Sequence, residues 1–422
     1  MVRRIAAIVL MLCSVAAYSQ EVYFPPLSGT WETVSPSSLD WCGDRIDSLV
    51  EFVGRTNGKA LIVLKNGRIA LEKYYGSFTG DSLWYWASAG KTVTAALVGI
   101  AQQEGIMDIT SSSAAYLGQG WSSCTKEQEQ NITVRHHLTM TTGIGFERSN
   151  DNCKEPSCLT YRGAPGTIWD YHNACYLLLQ DMVAKASGQT YQQYYTRKLA
   201  AKLGMGGLWY DGTLFSKPRA MARFGLMLLA GGIWNGDTII KNRTYFADMI
   251  STSQDLNKSY GYLFWLNGKG SFIQPQIPFV YKTDLVPSAP DDMYAGMGKN
   301  DQRVYVVPSK GLVVIRMGDK ATESLPAISG FDDDLWKYIN ALPCGSTSVG
   351  GDLMQTHRSV WPNPTSGEVH HDGSEITIFD AIGQTVVSST EPVLHVGSLP
   401  AGVYHAVIRN GSSSRTTLVV KQ

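Results

Sequence analysis

A serine and a lysine stand three residues apart in the stretch WASAGKTVTAAL, where Ser88 and Lys91 precede a long apolar run. Residues i and i+3 share one face of a helix, so the Lys91 amine can reach the Ser88 hydroxyl. A lysine buried in an apolar wall loses its proton more easily and can then accept the proton of a serine. The pair therefore predicts a nucleophile in the first turn of a helix, where the dipole favours negative charge.

The same spacing has a simpler interpretation, in which Ser88 caps the helix and Lys91 is solvated. The chain repeats the spacing at Ser123 and Lys126, in the hydrophilic stretch SSCTKEQEQ. That stretch has no apolar face, whereas Ser88 and Lys91 precede a long apolar run. The two pairs therefore differ in the segments around them and not in their spacing.

Two further stretches carry groups that would complete such a site. Tyr171 and Asn173 stand before another apolar helix, in the stretch GTIWDYHNACYLLLQDMV. Tyr171, as a phenolate between two ammonium groups, could be a general base, and the Asn173 amide could orient a substrate carbonyl. MYAGMGKNDQRVYVV contains Gly296 and Gly298, where a strand N–H could form an oxyanion hole with the N–H of Ser88. Each feature also has a structural alternative: Tyr171 could pack in the core, Asn173 could cap the helix, and the glycines could lie at a bulge.

In this order and spacing, the three stretches resemble the serine β-lactamase and penicillin-binding protein superfamily, in particular its class C-like branch of esterases, D-aminopeptidases and 6-aminohexanoate-oligomer hydrolases. The resemblance extends over about residues 41–342 and includes LVGIAQQEGIMDI, ITVRHHLTMTTGI, RAMARFGLMLLAGGIWNGD, YGYLFW and VYVVPSKGLVVIRMG. It implies a three-layer sheet domain with a helical domain, and an active site in the cleft between them.

The resemblance also assigns roles to residues of the first two stretches. Ser88 matches the acylated nucleophile and Lys91 its proton partner. Tyr171 matches the tyrosine base of the family, and Asn173 matches its substrate-orienting amide. No cofactor and no metal ion is implied by this chemistry.

The third motif of the family falls on residues 296–298, so that Lys299 would supply the second oxyanion N–H beside Gly298. Gly296 stands where β-lactamases carry a cation that recognises the carboxylate of the drug. This departure disfavours β-lactamase activity and favours an esterase or an amide hydrolase. Neither catalysis nor the oxyanion hole requires the missing side chain.

Other polar clusters give little support for different chemistry. Class A β-lactamases use an SDN triplet. The SNDN at residues 149–152 is only superficially similar to it and lies in a predicted disulfide loop. His136 and His137 are adjacent and point to different faces of a helix, and His172 stands apart, so structural roles are favoured over metal ligation.

The elements that must position these residues follow from periodicity and turn signals. Two hairpins, around Asn66-Gly67 and around Pro308 to Gly311, lie at opposite ends of the region, and a helix accompanies each, the first with Asp40 available as its cap. Between them lie helical patterns at 88–105, 133–141, 174–187, 191–203 and 218–231. The prediction is an α+β fold, with one antiparallel sheet assembled from distant halves and a helical subdomain.

The amino terminus predicts export. Arg3 and Arg4, the apolar run 5–15 and the small residues of Ala17-Tyr18-Ser19 are typical of a signal peptide over residues 1–19, which we favour over a lipoprotein signal at Cys13. The formal net charge is zero and charged residues make up 17% of the chain, so neither nucleic acid nor an anionic membrane surface is predicted as a partner. No later stretch predicts a membrane helix.

The six cysteines that follow the signal suggest disulfides in an exported protein. Cys153 with Cys158 could close one loop, and Cys42 with Cys344 could tie the two ends of the main domain. Cys124 and Cys175 are either free thiols or a third bridge.

The sequence pattern changes after a predicted hydrolase domain at 20–345 and a Gly/Ser-rich linker at 346–357. Short strands separated by turns predict a small all-β sandwich at 358–422. PNPTSG, IFDAIGQ and LPAGVYHAVI resemble the carboxy-terminal sorting domain of the type IX secretion system, which implies contact with that machinery and a secreted or cell-surface location. A carbohydrate-binding or adhesion module is the alternative.

Together these features predict an exported serine hydrolase that cleaves an ester or amide through an acyl-enzyme on Ser88. A D-Ala carboxypeptidase, a β-lactamase and a catalytically silent surface binding protein of the same fold are the alternatives. The sequence leaves open the substrate, the oligomeric state and the removal of the tail.

Overall fold

The computed structural model describes residues 22–145, 150–321, 330–345, 360–361, 365–380, 383–411 and 413–421. The signal peptide predicted at 1–19 and the linker predicted at 346–357 lie outside the described residues. Buried apolar side chains form two separate cores, one between residues 31 and 342 and the other between residues 360 and 419. The chain therefore comprises a large unit and a small tail unit.

The large unit contains both helices and strands along its whole length. Its strands are β1 (Gly58–Lys65), β2 (Arg68–Tyr74), β3 (Trp84–Tyr85), β4 (Ile144–Gly145), β5 (Thr160–Tyr161), β6 (Leu208–Tyr210), β7 (Thr213–Ser216), β8 (Ile233–Trp234), β9 (Asp237–Thr238), β10 (Trp265–Leu266), β11 (Phe272–Gln274), β12 (Ile277–Tyr281), β13 (Tyr294–Gly298), β14 (Gln302–Val307) and β15 (Leu312–Gly318). Its helices are α1 (Gly43–Arg55), α2 (Lys91–Gln103), α3 (Ala114–Leu117), α4 (Lys126–Asn131), α5 (Val134–Leu138), α6 (Asn173–Ser187), α7 (Tyr191–Tyr195), α8 (Ala201–Leu203), α9 (Pro218–Leu229), α10 (Arg243–Met249) and α11 (Gly330–Ala341).

The central sheet is antiparallel, with strand order β10-β13-β14-β15-β1-β2. Strands from the two ends of the unit meet where β15 pairs with β1, as predicted. Both predicted hairpins are present, and their turns use left-handed backbone: Asn66 has φ 46° and Gly67 has φ 87°, while Gly311 closes the second turn with φ 56°. Asn and Gly adopt this conformation at little cost, which explains why the turns lie there.

Helices cover both faces of the sheet. Neighbouring residues of β14 show the two sides, since adjacent strand residues point to opposite faces: Arg303 contacts Asp332 of α11, whereas Val304 lies against Gly225 of α9. The α11 side also carries α1, whose Phe52 ring stacks on Phe331 at 5.6 Å. The fold is thus the predicted β-lactamase/transpeptidase-like arrangement of three layers with additional helices.

The two predicted disulfides are confirmed. Cys42–Cys344 joins the start of α1 to the segment that follows α11, and Cys153–Cys158 closes a short loop. Cys124 and Cys175 are free, which decides the alternative that the sequence left open. The predicted cap at Asp40 is wrong: Cys42 is the N-cap residue of α1, and Asp40 instead ends a preceding 3-10 turn with φ 57°.

The tail unit is all-β within its described residues. Its strands are β16 (Val360–Trp361), β17 (Glu368–His371), β18 (Glu375–Phe379), β19 (Thr385–Ser389), β20 (Val393–His395), β21 (Gly402–Asn410) and β22 (Ser413–Lys421). They form two antiparallel sheets, β16-β17-β20 and β19-β18-β21-β22. Alternate residues of β18, Ile376 and Ile378, are fully buried, as expected of strands that enclose a core between two sheets.

Candidate active site

Ser88 lies in a tight 3-10 turn, Ala87–Gly90, that leads directly into α2. The residue before it, Ala87, has φ 48°, a left-handed conformation that non-glycine residues adopt at a cost and that is concentrated at functional sites. Trp86 anchors the turn, because its fully buried indole donates to Ser216 Oγ at 2.7 Å. The fold therefore holds Ser88 in a fixed turn, next to a residue with strained backbone.

The interpretation of Ser88 as a helix cap is wrong. The N-cap residue of α2 is Gly90, and no side chain caps this helix end. Because a 3-10 turn precedes the α-helix, Ser88 lies three residues before the first α-helical residue, Lys91. Its hydroxyl is instead turned to the lysine.

Lys91 is the centre of the polar cluster. Its side chain is buried, with 4% exposed, and its Nζ donates to Ser88 Oγ at 2.9 Å and to Asn173 Oδ1 at 2.8 Å. The ammonium also lies 5.0 Å from the Tyr171 ring centre and 4.5 Å from that of Tyr176. Burial lowers the pKa of Lys91 from 10.5 to about 7, against the opposing effect of the Asp151 carboxylate. At neutral pH a substantial fraction of this amine is therefore free to accept a proton.

Tyr171 and Asn173 reach the cluster from the start of α6. The intervening residue, His172, is the N-cap and accepts from the Cys175 N–H through its side chain, so its neighbours face the lysine while it faces the helix end. The Tyr171 ring is buried and stacks on Trp265 at 6.2 Å. Asn173 accepts from Lys91 through Oδ1 and donates to Asp151 through Nδ2, so neither residue serves as a helix cap.

A phenolate at Tyr171 is disfavoured by this environment. Burial raises the pKa of Tyr171 above its usual value, and a hydrogen bond with Ser88 offsets only part of that effect. The sequence suggested a phenol between two ammonium groups, but one of the expected cations is replaced by Gly296. Because burial raises its pKa, Tyr171 stays protonated at neutral pH and can relay or donate a proton.

The glycine strand β13 runs directly against the serine turn. A Cβ atom on Gly298 would lie 2.4 Å from the Trp86 carbonyl oxygen and 3.1 Å from the Ser88 nitrogen, and a Cβ on Gly296 would lie 3.1 Å from the Ala89 oxygen. Only a residue without a side chain fits at Gly298, because the atoms it faces belong to the backbone. The structure thus brings the third motif to the nucleophile.

Lys299, the proposed second oxyanion donor, follows the end of β13, and a buried arginine fixes the peptide between it and Gly298. Arg303 is fully buried, and its guanidinium donates to the Gly298 carbonyl at 2.7 Å. Because the peptide unit is planar and trans, the Lys299 N–H points away from the guanidinium. Asp332 and Asp301 balance the charge of Arg303, at 2.6 and 2.8 Å.

Asp151 joins the cluster, although its stretch SNDN is only superficially similar to the class A triplet. Its Oδ2 accepts from Asn173 Nδ2 at 2.8 Å, and its backbone carbonyl accepts from the Ala174 N–H, also at 2.8 Å. No periodic pattern marks this residue. The signal that could have found it is a carboxylate beside a disulfide loop, a short distance before Tyr171 in the chain.

The remaining polar residues do not join this cluster. Ser123 is exposed and its hydroxyl donates to the Leu159 carbonyl, which confirms that its spacing with Lys126 is coincidental. The ring of His137 is buried and its Nδ1 contacts the Cys175 carbonyl at 2.8 Å, while the ring of His136 contacts Thr133. Within the described parts of the chain, no three His, Cys, Asp or Glu side chains group in a way that could hold a metal ion.

Comparison with protein families gives two matches. Residues 46–211 match the model of the Beta-lactamase family, a segment that includes Ser88, Lys91, Tyr171 and Asn173. Residues 359–422 match the secretion system C-terminal sorting domain, which indicates type IX secretion and a surface or secreted location. In the described part of the chain, no helix combines the length and the apolar character that crossing a bilayer requires.

Individual relatives agree with the family match. A curated protein of Bacillus subtilis (strain 168), provisionally named penicillin-binding protein PbpX, is 26% identical over 176 residues, which are 38% of this chain and 43% of that protein. Among solved structures, a Bacillus anthracis protein provisionally named a 6-aminohexanoate-dimer hydrolase has a TM-score of 0.57 at 16% identity, covering 76% of this chain and 89% of that one. A penicillin-binding protein homologue from Caulobacter crescentus has a TM-score of 0.54 at 15% identity, covering 71% and 98%. At these identities the structures show a shared fold.

Proposed function

Because the chain carries a domain of the β-lactamase and penicillin-binding protein family and a type IX secretion sorting domain, we propose that it is an exported serine hydrolase that cleaves an ester or an amide through an acyl-enzyme on Ser88. The observation that carries the proposal is the contact between the buried Lys91 amine and Ser88 Oγ at 2.9 Å. A base with a pKa near the working pH, within hydrogen-bond reach of the nucleophile, is what general base catalysis requires.

Acylation begins when neutral Lys91 accepts the hydroxyl proton as Ser88 Oγ bonds to the substrate carbonyl carbon. The carbonyl oxygen becomes an oxyanion, which the backbone N–H groups of Ser88 and Lys299 stabilise. The tetrahedral intermediate then collapses, and the bond to the leaving alcohol or amine breaks. Tyr171 donates its proton to that leaving group and regains one from the Lys91 ammonium.

Deacylation repeats the sequence with water in place of the serine. A water molecule gives a proton to the Lys91 and Tyr171 pair and attacks the acyl carbon, and Ser88 leaves with its proton restored. Asn173 keeps one amide hydrogen beyond its contact with Asp151, and we assign to that hydrogen the orientation of the substrate carbonyl. Every step uses groups of this chain, so the reaction needs no cofactor.

The choice of ester or amide over β-lactam substrates rests on Gly296. That position lies on β13 beside the serine turn and provides no cation for a substrate carboxylate. The same residues could act on β-lactams, as the names of the penicillin-binding relatives suggest, and action on D-Ala peptides of a cell wall is a further alternative. The sorting domain supports delivery to the cell surface or beyond, with the secretion machinery as its partner.

A substrate panel tests this proposal. Purified wild type is assayed with p-nitrophenyl esters of increasing acyl length, the matching anilides, nitrocefin and a fluorescent penicillin. We expect ester or anilide turnover that is lost in Ser88→Ala and retained in Ser123→Ala, the variant of the coincidental serine. Fast nitrocefin turnover or stable penicillin labelling would favour the β-lactamase or carboxypeptidase alternative, and a wild type inert to every substrate would favour a binding protein.

A further inference from the structure

We propose that Asp151 is a positioning residue of this site, which fixes the Asn173 amide so that its oxygen faces Lys91. The inference rests on the proposed function only in so far as Lys91 acts as the base. Asp151 touches neither Ser88 nor Lys91, and it acts through Asn173 and through its charge.

Asp151 is attached to the first turn of α6 by two hydrogen bonds. Its carboxylate accepts from Asn173 Nδ2 and its backbone carbonyl accepts from the Ala174 N–H, both at 2.8 Å. The backbone bond holds Asp151 beside the first turn of α6, and the side-chain bond directs its carboxylate to Asn173. This two-point attachment places a negative charge beside the polar cluster.

The chemistry of the three groups dictates the orientation of the amide between them. A lysine ammonium has only donors and a carboxylate has only acceptors, whereas an amide has an acceptor on one side and donors on the other. With Oδ1 toward Lys91 and Nδ2 toward Asp151, both contacts are hydrogen bonds. A flipped amide would oppose donors to donors and acceptors to acceptors. The Asp151 carboxylate thus keeps the Asn173 oxygen directed at the lysine.

The charge of Asp151 also acts on the proton affinity of Lys91. The groups that face the Lys91 amine are the Ser88 hydroxyl before α2, the Tyr171 and Tyr176 rings, and the Asn173 amide with Asp151 behind it. Burial lowers the pKa of Lys91 to about 7, and Asp151 is the charge that opposes this effect. Removal of the charge leaves burial unopposed, so Lys91 binds its proton less tightly.

The loop that carries Asp151 is held to α6 at a second point. The disulfide Cys153–Cys158 closes a short loop just after Asp151, and Lys154 within that loop pairs with Asp181 of α6 at 2.6 Å. These contacts follow Asp151 directly in the chain but touch none of the groups around Lys91. They provide a matched control, because Asp181→Asn loosens the loop without removing the carboxylate at the site.

The test is a direct titration of Lys91. Protein labelled with 13C at the lysine side chains is titrated from pH 5 to pH 10 by NMR, and the Lys91 signal is assigned by its loss in Lys91→Arg. We expect a midpoint near 7 in wild type and in Asp181→Asn. In Asp151→Asn the midpoint should fall by roughly half a unit or more, and Asp151→Glu should restore part of the shift.

The outcomes distinguish this proposal from the proposed function. An identical Lys91 midpoint in wild type and Asp151→Asn, with both variants folded, overturns the positioning role. The titration midpoint can fall in Asp151→Asn while wild type turns over no ester or amide. That pair of results supports the positioning role and contradicts the proposed hydrolase activity. Where turnover is measurable, the acid limb of kcat/KM should move with the NMR midpoint in Asp151→Asn and stay in place in Asp181→Asn.

Discussion

The substitution Gly298→Ala tests the contact between the glycine strand and the serine turn. The added methyl group would lie 2.4 Å from the Trp86 oxygen, 3.0 Å from the Ala89 nitrogen and 3.1 Å from the Ser88 nitrogen. All three are backbone atoms of one tight turn, so no side chain can rotate away. The strand or the turn must therefore move.

The size of the movement sets the expected loss of activity. Ordinary contact begins at 3.4 Å, so the closest approach is about 1 Å too short. A misplacement of that size in an active site costs on the order of 10²-fold in rate, which equals about 2.7 kcal/mol of transition-state stabilisation. Overpacking of this kind also costs about 1–3 kcal/mol of folding free energy.

The assay compares Gly298→Ala with Gly90→Ala, which adds the same methyl group in the serine turn itself. A Cβ on Gly90 meets only side-chain carbons of Leu214 and Trp209, none closer than 3.5 Å, and its φ of −64° suits any residue. We expect kcat/KM on a p-nitrophenyl ester to fall about 10²-fold in Gly298→Ala and to change little in Gly90→Ala. Equal kcat/KM values for Gly298→Ala and wild type, with both folded by circular dichroism, would show that the strand and the turn accommodate the added methyl group.

Three further predictions follow from burial and cross-linking. Burial lowers the pKa of Lys91 to about 7 and only the neutral amine accepts a proton, so kcat/KM should rise with pH through about 7. Lys91→Arg stays charged, so its kcat/KM should be about 10²-fold or more below that of wild type. A flat pH profile of the wild-type kcat/KM from pH 5 to 9 would contradict this role of Lys91. Cys344→Ser opens a cross-link between residues 302 positions apart and should lower the free energy of unfolding by about 2–5 kcal/mol in urea titrations. In reductant, which opens both disulfides, wild type and variant should be equally stable. Burial lowers the pKa of His137 and His172 to about 4 in the folded state, below the ordinary value of 6.5 in the unfolded chain. Between these two pH values the unfolded state binds more protons than the folded state. The free energy of unfolding should therefore fall as pH drops from about 6.5 to about 4. The slope should be at most about 1.4 kcal/mol per pH unit for each histidine; equal stability at pH 7 and pH 4.5 would show that these rings are not buried neutral.

The sequence predicted those parts of the site that follow from chain order and periodicity. The i and i+3 spacing of Ser88 and Lys91 and the turn residues Asn66-Gly67 are local features, and the structure places both as expected. The two hairpins at the ends of the unit meet in one sheet, because buried strands must pair with a partner.

The features that the sequence did not reveal depend on contacts between distant segments. Ser88 does not cap α2, since it lies within the 3-10 turn Ala87–Gly90 that precedes the helix, and no composition rule predicts that turn. Arg303 is fully buried because Asp332, from a helix later in the chain, neutralises it, and the local sequence of β14 does not show that pairing. Asp151 lacks a periodic context, and only the fold shows that its loop returns to α6.

We proposed that Ser88 is the residue that becomes acylated, and intact-mass analysis after treatment with a fluorophosphonate probe can detect the adduct. We expect one covalent adduct on wild type and on Ser123→Ala, and none on Ser88→Ala. Peptide mapping should place that adduct on the peptide that contains Ser88. An unlabelled wild type, or an adduct that persists in Ser88→Ala, would show that Ser88 is not the acylated nucleophile.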